Sequence, residues 1–317
     1  MLGHRRATLI VNPAARGLSR RFDAARAVRY LEARGVKVVL VVPRSATEAT
    51  AAATAAADRG DDLCFVVGGD GSLRQAAEGL AGSTTALAAI PAGTVNIWAR
   101  EAGIPRGAWA AFDAHLGGQV AAMDLGRAGE RAFLLMAGIG WDAEIAAGVS
   151  LRLKRMTGDL AYIIHGLARA PALRTHWARW RADGDQFEAP LAWMLLGNTR
   201  LYGGRIRLTP GARVDDGLLD VVAFCPRGPG EALGLAVRVA VGRREGGRIV
   251  TGRFAEVVVE TPGLAIQLDG DPVGLTPMTF RVEPGALRVS VPAGPLPPLW
   301  GDRAAGARAT GRALWRR

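Results

Sequence analysis

Along the first 125 residues, short apolar runs alternate with stretches whose apolar positions recur every three or four residues. The runs at 7–12, 37–42, 63–67 and 86–90 are rich in Val, Ile, Leu and Ala, as expected of strands covered on both faces. Helical spacing marks 19–33, 47–59 and 73–80, with Phe22, Ala25, Val28 and Leu31 forming one stripe of the first. Strand-helix alternation of this kind predicts a parallel sheet covered by helices. After Met123-Asp124-Leu125-Gly126 the pattern changes to strand-like segments at 131–136, 175–181, 189–196, 218–224, 256–260, 265–268 and 287–291. These predict an antiparallel β-sandwich, interrupted by helical stretches at 150–170 and 229–241. The expected fold class is therefore α/β plus all-β, with an α/β domain over 1–125, a β-rich domain over 126–292 and a Pro-rich, then basic, surface tail over 293–317.

Composition narrows the partners. Of 317 residues, 40 are Lys or Arg and 29 Asp or Glu, so the formal charge of +11 favours anionic partners such as nucleotides, phospholipid surfaces or nucleic acid. The two cysteines, Cys64 and Cys225, lie in separate strand-like stretches, and no CxxC or His/Cys cluster is present. A reduced, cytoplasmic protein is expected. The N-terminal residues run into a strand without an apolar signal core. The long uncharged stretch at 79–99 is broken by Pro91 and several glycines, so it is not read as a membrane span.

Candidate chemistry begins at three strand ends. Gly68-Gly69-Asp70-Gly71-Ser72 and Pro91-Ala92-Gly93-Thr94-Val95-Asn96 each join a strand to a helix, and Asn12-Pro13 follows the first strand with Arg16 and Gly17 behind it. Backbone amides of such turns and the positive end of the following helix dipole suit a phosphate. Phosphates in parallel sheets bind at the carboxyl ends of strands, where all three turns fall. Simpler roles exist for each: Asn-Pro starts turns, Asp70 suits a helix cap, and Thr94 is a common N-cap residue. No GxxxxGK[ST] loop is present.

The GGDG[ST] loop is shared by diacylglycerol, sphingosine, ceramide and NAD kinases and by phosphofructokinases. Its combination with Asn12-Pro13 and with Gly93-Thr94-Val95-Asn96-Ile97-Trp98-Ala99-Arg100 resembles the diacylglycerol kinase catalytic family, in its bacterial lipid kinase branch. Asp124-Leu125-Gly126, Gly138-Ile139-Gly140-Trp141-Asp142, Tyr202-Gly203-Gly204, Asp215-Asp216-Gly217-Leu218 and Asp269-Gly270-Asp271 follow in that family's order, so the resemblance runs to about residue 292. It implies ATP held by Gly68, Gly69, Asp70, Gly71, Ser72, Leu73, Arg74, Gly93, Thr94 and Asn96, with Asn12 and Ser45 near the phosphates or base. It also implies Mg²⁺ bridging ATP, for which Asp70 and Asp124 are the candidates. A second, structural Mg²⁺ would use Asp216 with the carbonyls of Arg213 and Leu218; Asp-Asp-Gly is equally an ordinary turn sequence.

For the acceptor, the resemblance implies a lipid hydroxyl entering between the two domains, most simply that of diacylglycerol, which becomes phosphatidic acid. The family's Asp-Gly-Glu places a Glu as the base, whereas this chain carries Asp271, with Asp269 as a second acid. One methylene fewer shortens its reach by roughly 1.5 Å. Ile97 and Trp98 stand where the family more often has Asp-Phe, so an acid is lost, a change read as packing. Over 150–181, seven basic residues face a single acid, Asp159, and Tyr162, Trp177 and Trp180 are interleaved. That mix suits an anionic bilayer, single-stranded nucleic acid or a solvated face. The lipid acceptor favours peripheral association with the inner membrane and no nucleic acid. An NAD kinase and a non-catalytic nucleotide- or lipid-binding protein are the alternatives, and the oligomeric state, a homodimer included, is left open.

Overall fold

The structure is a computed structural model describing residues 5–15, 22–141, 175–204, 206–228 and 248–301, with positions 230, 231, 234, 235 and 238. The basic stretch at 150–170, the helix expected at 229–241 for the most part, Arg16, Gly17 and the tail beyond 301 lie outside the described residues. The chain divides into two compact units, Met1–Leu125 with Pro284–Pro298, and Gly126–Glu283 with Leu299–Arg317.

The first unit contains β1 (Arg5–Val11), α1 (Ala24–Glu32), β2 (Val36–Val41), α2 (Ala46–Asp58), β3 (Leu63–Gly68), α3 (Asp70–Leu80), β4 (Ala86–Pro91), α4 (Ile97–Glu101) and α5 (Ala108–Leu116). Its strands are ordered β2-β1-β3-β4, with β1 pairing parallel to β2 on one side and to β3 on the other. The chain thus moves outward from β1 to β2 and then crosses back to β3. A sheet whose winding reverses in this way opens a crevice at the carboxyl ends of the two strands flanking the reversal, here β1 and β3. Phe65, Val66, Leu87 and Ile90 are fully buried, as continuous apolar strands require.

From there β5 (Gln119–Ala128) leads into the second unit, which continues with β6 (Arg131–Phe133), β7 (Met136–Gly140), β8 (His176–Ala182), β9 (Asp185–Leu191), β10 (Trp193–Gly197), β11 (Leu201–Tyr202), β12 (Ile206–Arg207), β13 (Leu219–Phe224), β14 (Ile249–Phe254), β15 (Glu256–Val259), β16 (Ala265–Leu268), β17 (Asp271–Leu275) and β18 (Met278–Val291). One antiparallel sheet runs β14-β13-β10-β7-β16-β17, and the start of β18 joins β15, β8 and β9 in a second. Alternate residues from both sheets, such as Ala178, Trp180 and Ala182 against Leu219, Val221 and Ala223, share one apolar core. This period of two is the mark of a sandwich whose sheets pack face to face.

Two departures from the sequence reading have physical causes. The stretch at 189–196 is two strands, because β9 and β10 belong to different sheets and the chain turns at Ala192 between them. The segment 284–292, read as part of the β-rich domain, belongs to the first unit: Val289 of β18 pairs parallel with Leu87 of β4. A strand of 14 residues can serve two units because the partners along its length differ.

His115, on α5, is buried within the first unit. Its Nε2 lies 2.9 Å from the Ala89 carbonyl, which can only accept, so the neutral ring carries its proton there and Nδ1 accepts from the Ser290 hydroxyl at 2.9 Å. Burial pushes the imidazole down to about 4. The unfolded chain, with an ordinary imidazole near ~6.5, therefore binds the proton first as pH falls. Stability on the order of 3 kcal/mol should be present above pH ~6.5 and lost on descending towards ~4. Urea titrations across that range should show this slope in the native protein and a shallower one in His115→Gln; equal slopes would place the effect elsewhere.

Candidate functional site

In the first unit the three predicted turns meet at the crevice. Asn12 directly follows β1, and its N–H donates to the Val67 carbonyl of β3 at 3.0 Å. The Asn12 side chain accepts from Ala14 N at 2.9 Å, closing a tight turn over Pro13, and its amide donates to the Ser72 hydroxyl at 2.8 Å. The loops after β1 and β3 are thereby tied together. α3 starts directly after Gly68-Gly69, and its capping residue Gly69 has no side chain to cover the first-turn amides. An 11-residue helix entered in this way offers partial positive charge to an anion.

The loop after β4 lies against the same glycines. A Cβ at Gly93 would stand 2.6 Å from Gly69 Cα, so the two backbones touch at a distance that no larger residue permits. Asn96 adopts the left-handed conformation, φ 51°, and its amide closes the turn on both Gly93 N and Gly93 O at 2.8 Å. Asp70 accepts from Ile97 N at 2.9 Å and Trp98 N at 3.1 Å. The acid within the glycine loop therefore braces α4, the next helix along the sheet.

The remaining predicted residues of this unit differ in setting. Gly68, Gly71 and Arg74 lie in the same loop and first helical turns, and Thr94 is exposed at the tip of the β4 loop. The Leu73 side chain is buried in the core and its N–H donates to the Gly69 carbonyl, so that residue faces inward. Ser45 caps α2, its hydroxyl accepting from Glu48 N at 3.1 Å. Asp124 sits within β5 rather than at a turn, buried, with one oxygen accepting from Gly285 N at 2.8 Å. Trp98 is fully buried, in line with a packing role.

In the second unit, β16 and β17 form a hairpin whose two turn residues, Asp269 and Gly270, both have positive φ, 51° and 88°. That is the turn type Asp-Gly favours most. The Asp269 carboxylate accepts from Leu134 N at 2.7 Å, Leu135 N at 2.8 Å and Met136 N at 2.9 Å. Three backbone amides thus hold it as a clamp between the hairpin and the segment entering β7. Asp271 begins β17, directly opposite Leu268, with its side chain half-exposed.

In the turn before β13, where the resemblance implied a structural metal, the acids have protein partners. Asp216 accepts from Leu218 N at 3.1 Å with one oxygen and meets the Arg253 guanidinium with the other. Arg253, on β14, lies directly opposite Asp220 of β13 and donates to it at 3.2 Å. Burial raises the carboxyl of Asp220 to about 6 against the pull of Arg253, and raises that of Asp216. A guanidinium faces the carboxylate expected to hold a cation, and no sequence motif marks Arg253 for this position. Among the described residues no group of three or more His, Cys, Asp or Glu converges as a metal site. Mg²⁺ is commonly held mainly by phosphate oxygens and water with one or two carboxylates, so a nucleotide-borne ion needs no such cluster.

Comparison with known proteins agrees with this geometry. Residues 6–128 match the family described as the diacylglycerol kinase catalytic domain, and residues 136–291 match the YegS C-terminal NAD kinase beta sandwich-like domain. A protein of Pseudomonas aeruginosa named probable lipid kinase YegS-like is 39% identical over 231 residues, covering 72% of this chain and 76% of the relative. A protein of Mycobacterium tuberculosis named diacylglycerol kinase is 35% identical over 274 residues, covering 84% and 88%. In fold, a solved structure described as a diacylglycerol kinase from Bacillus anthracis superposes with a TM-score of 0.67 at 21% identity, covering 90% of this chain and 96% of the other. With both halves of the chain matched in order and relatives of this identity and coverage, the chain belongs to the YegS-like and diacylglycerol kinase family and is a lipid kinase.

Proposed function

We propose that this lipid kinase uses ATP with Mg²⁺ to phosphorylate diacylglycerol to phosphatidic acid, working as a peripheral protein at an anionic membrane surface. The observation that carries the ATP half is the convergence of Asn12, Gly68 to Ser72 and Gly93 to Asn96 at the reversal of the sheet. Glycine-loop amides and the amino end of α3 would hold the phosphates, Asn12 and Ser72 would fix the loop that receives them, and Asp70 would keep the β4 loop in register. Mg²⁺ would neutralise charge on the transferring phosphates, most simply as an ion carried in with the nucleotide. Asp271 would accept the hydroxyl proton while the acceptor oxygen bonds to the γ-phosphorus and the bond from that phosphorus to the bridging oxygen breaks, releasing ADP. Most of the acceleration in such a transfer comes from positioning and charge neutralisation.

Diacylglycerol as acceptor is supported by the name of the Mycobacterium tuberculosis relative, while the Pseudomonas aeruginosa relative is named only for a lipid. Among the described residues no helix is long and apolar enough to cross a membrane. Attachment would then rest on charge, of which the chain carries a net +11, and on exposed aromatics such as Trp177. The test is incubation of the purified protein with labelled ATP and a total lipid extract, with NAD as a parallel acceptor. Labelled phosphatidic acid is the expected product. Another labelled lipid would reassign the acceptor, labelled NADP would favour the NAD kinase alternative, and ATP binding without turnover would favour a non-catalytic protein.

A further inference from the structure

Asp216 and Asp220 lie on one side of β13 and its preceding turn, where the resemblance implied a divalent cation with the carbonyls of Arg213 and Leu218. The side chains there are already engaged. Arg253 contacts Asp216 through Nη2 and Asp220 through Nε, one planar cation spanning two carboxylates. Leu218 N donates to the other oxygen of Asp216. Asp215 accepts from Gly301 N at 2.9 Å, and Val214 N donates to the Leu299 carbonyl at 3.1 Å, so the turn also anchors the chain after β18. Asp220 and Arg253 are register partners on neighbouring strands, a placement that holds the guanidinium at the turn without adjustment.

We infer that Arg253 is a built-in replacement for the structural divalent cation of this turn, so that the second unit of this chain is stabilised by a guanidinium and is indifferent to Mg²⁺. A fixed monovalent cation repels a divalent ion at the same carboxylates, and two of its donors already occupy the Asp216 and Asp220 oxygens that would face such an ion. Arg also keeps its charge at every physiological pH, which makes it a permanent counter-ion. The inference is independent of the identity of the acceptor lipid and of the ATP site.

Thermal melts without nucleotide test it, using the native chain, Arg253→Met and Arg253→Lys, each in chelator and in Mg²⁺ or Ca²⁺. The native protein and Arg253→Lys should melt at the same temperature with and without the ion. Arg253→Met leaves two partly buried carboxylates without their cation; it should melt several degrees lower in chelator and recover as Mg²⁺ or Ca²⁺ is added. A native protein whose melting temperature falls in chelator, or rises with Mg²⁺, would overturn the inference. So would a folded Arg253→Met variant that gains no dependence on the ion. Should Arg253→Met fold only when the ion is present, that too is the expected metal dependence, and failure to fold in either condition leaves the native and Lys melts to decide.

Discussion

Asp271→Asn is expected to lower kcat on a lipid hydroxyl by about 10²–10⁴-fold, the usual contribution of a positioned base, with the melting temperature nearly unchanged. Asn keeps the size of the side chain and its place at the start of β17 but cannot take a proton. Its side chain is only partly buried, and Asn can keep hydrogen bonds there, so the fold should change little. Steady-state assays with labelled ATP should show the loss in kcat with little change in the KM for ATP. Asp271→Glu, which restores the family's longer acid, should retain turnover at or above the native rate. Native turnover in Asp271→Asn would remove it from the base role, and Asp269 could not easily inherit that role, since both of its oxygens are held by backbone amides.

The second large effect concerns that clamp. Asp269→Ala should destabilise the second unit by about 3–5 kcal/mol, because three amides in the segment entering β7 lose their acceptor and each unsatisfied buried group costs about 1–3 kcal/mol. The positive φ of Asp269 adds to this, since Asp and Asn adopt that conformation far more readily than Ala. Asp269→Asn keeps the turn and one acceptor oxygen but turns an NH₂ toward a donor, so it should fall between the two. Chemical denaturation resolves the series. An Asp269→Ala protein that unfolds at the native midpoint yet has lost turnover would show that this acid acts on the reaction and not on the hairpin.

These two acids show how much of the site was legible in advance. Asp-Gly flanked by apolar residues is the strongest short-range hairpin pattern, so the turn itself could be read from the chain. That Asp269 faces inward to residues 134–136, far off in sequence, depends on β16 pairing with β7. The family motif presents two acids, and only the pairing separates the clamp from the candidate base. Asp70 is similar. Its place in a glycine loop was plain, but the α4 amides it accepts from come from the next βα unit and reach it only once β3 and β4 lie side by side. Arg253 had no local pattern at all, because a cross-strand ion pair is defined by register, which no window of sequence contains.

By itself the sequence determined where the chain changes character: buried parallel strands with helices up to Leu125, alternating strands after it, and glycine turns at the strand ends. These follow from short-range rules, the periods of strand and helix, the conformations that glycine and Asn allow, and the chemistry of a helix start. Tertiary structure alone decided that the end of β18 returns to the first unit, that Asp70 and Asp269 brace backbone rather than stand open, and that a guanidinium meets Asp216 and Asp220. Each of these is a contact between residues distant in sequence. Which distant groups meet is set by strand order and register, and those are fixed by how whole apolar faces bury against one another.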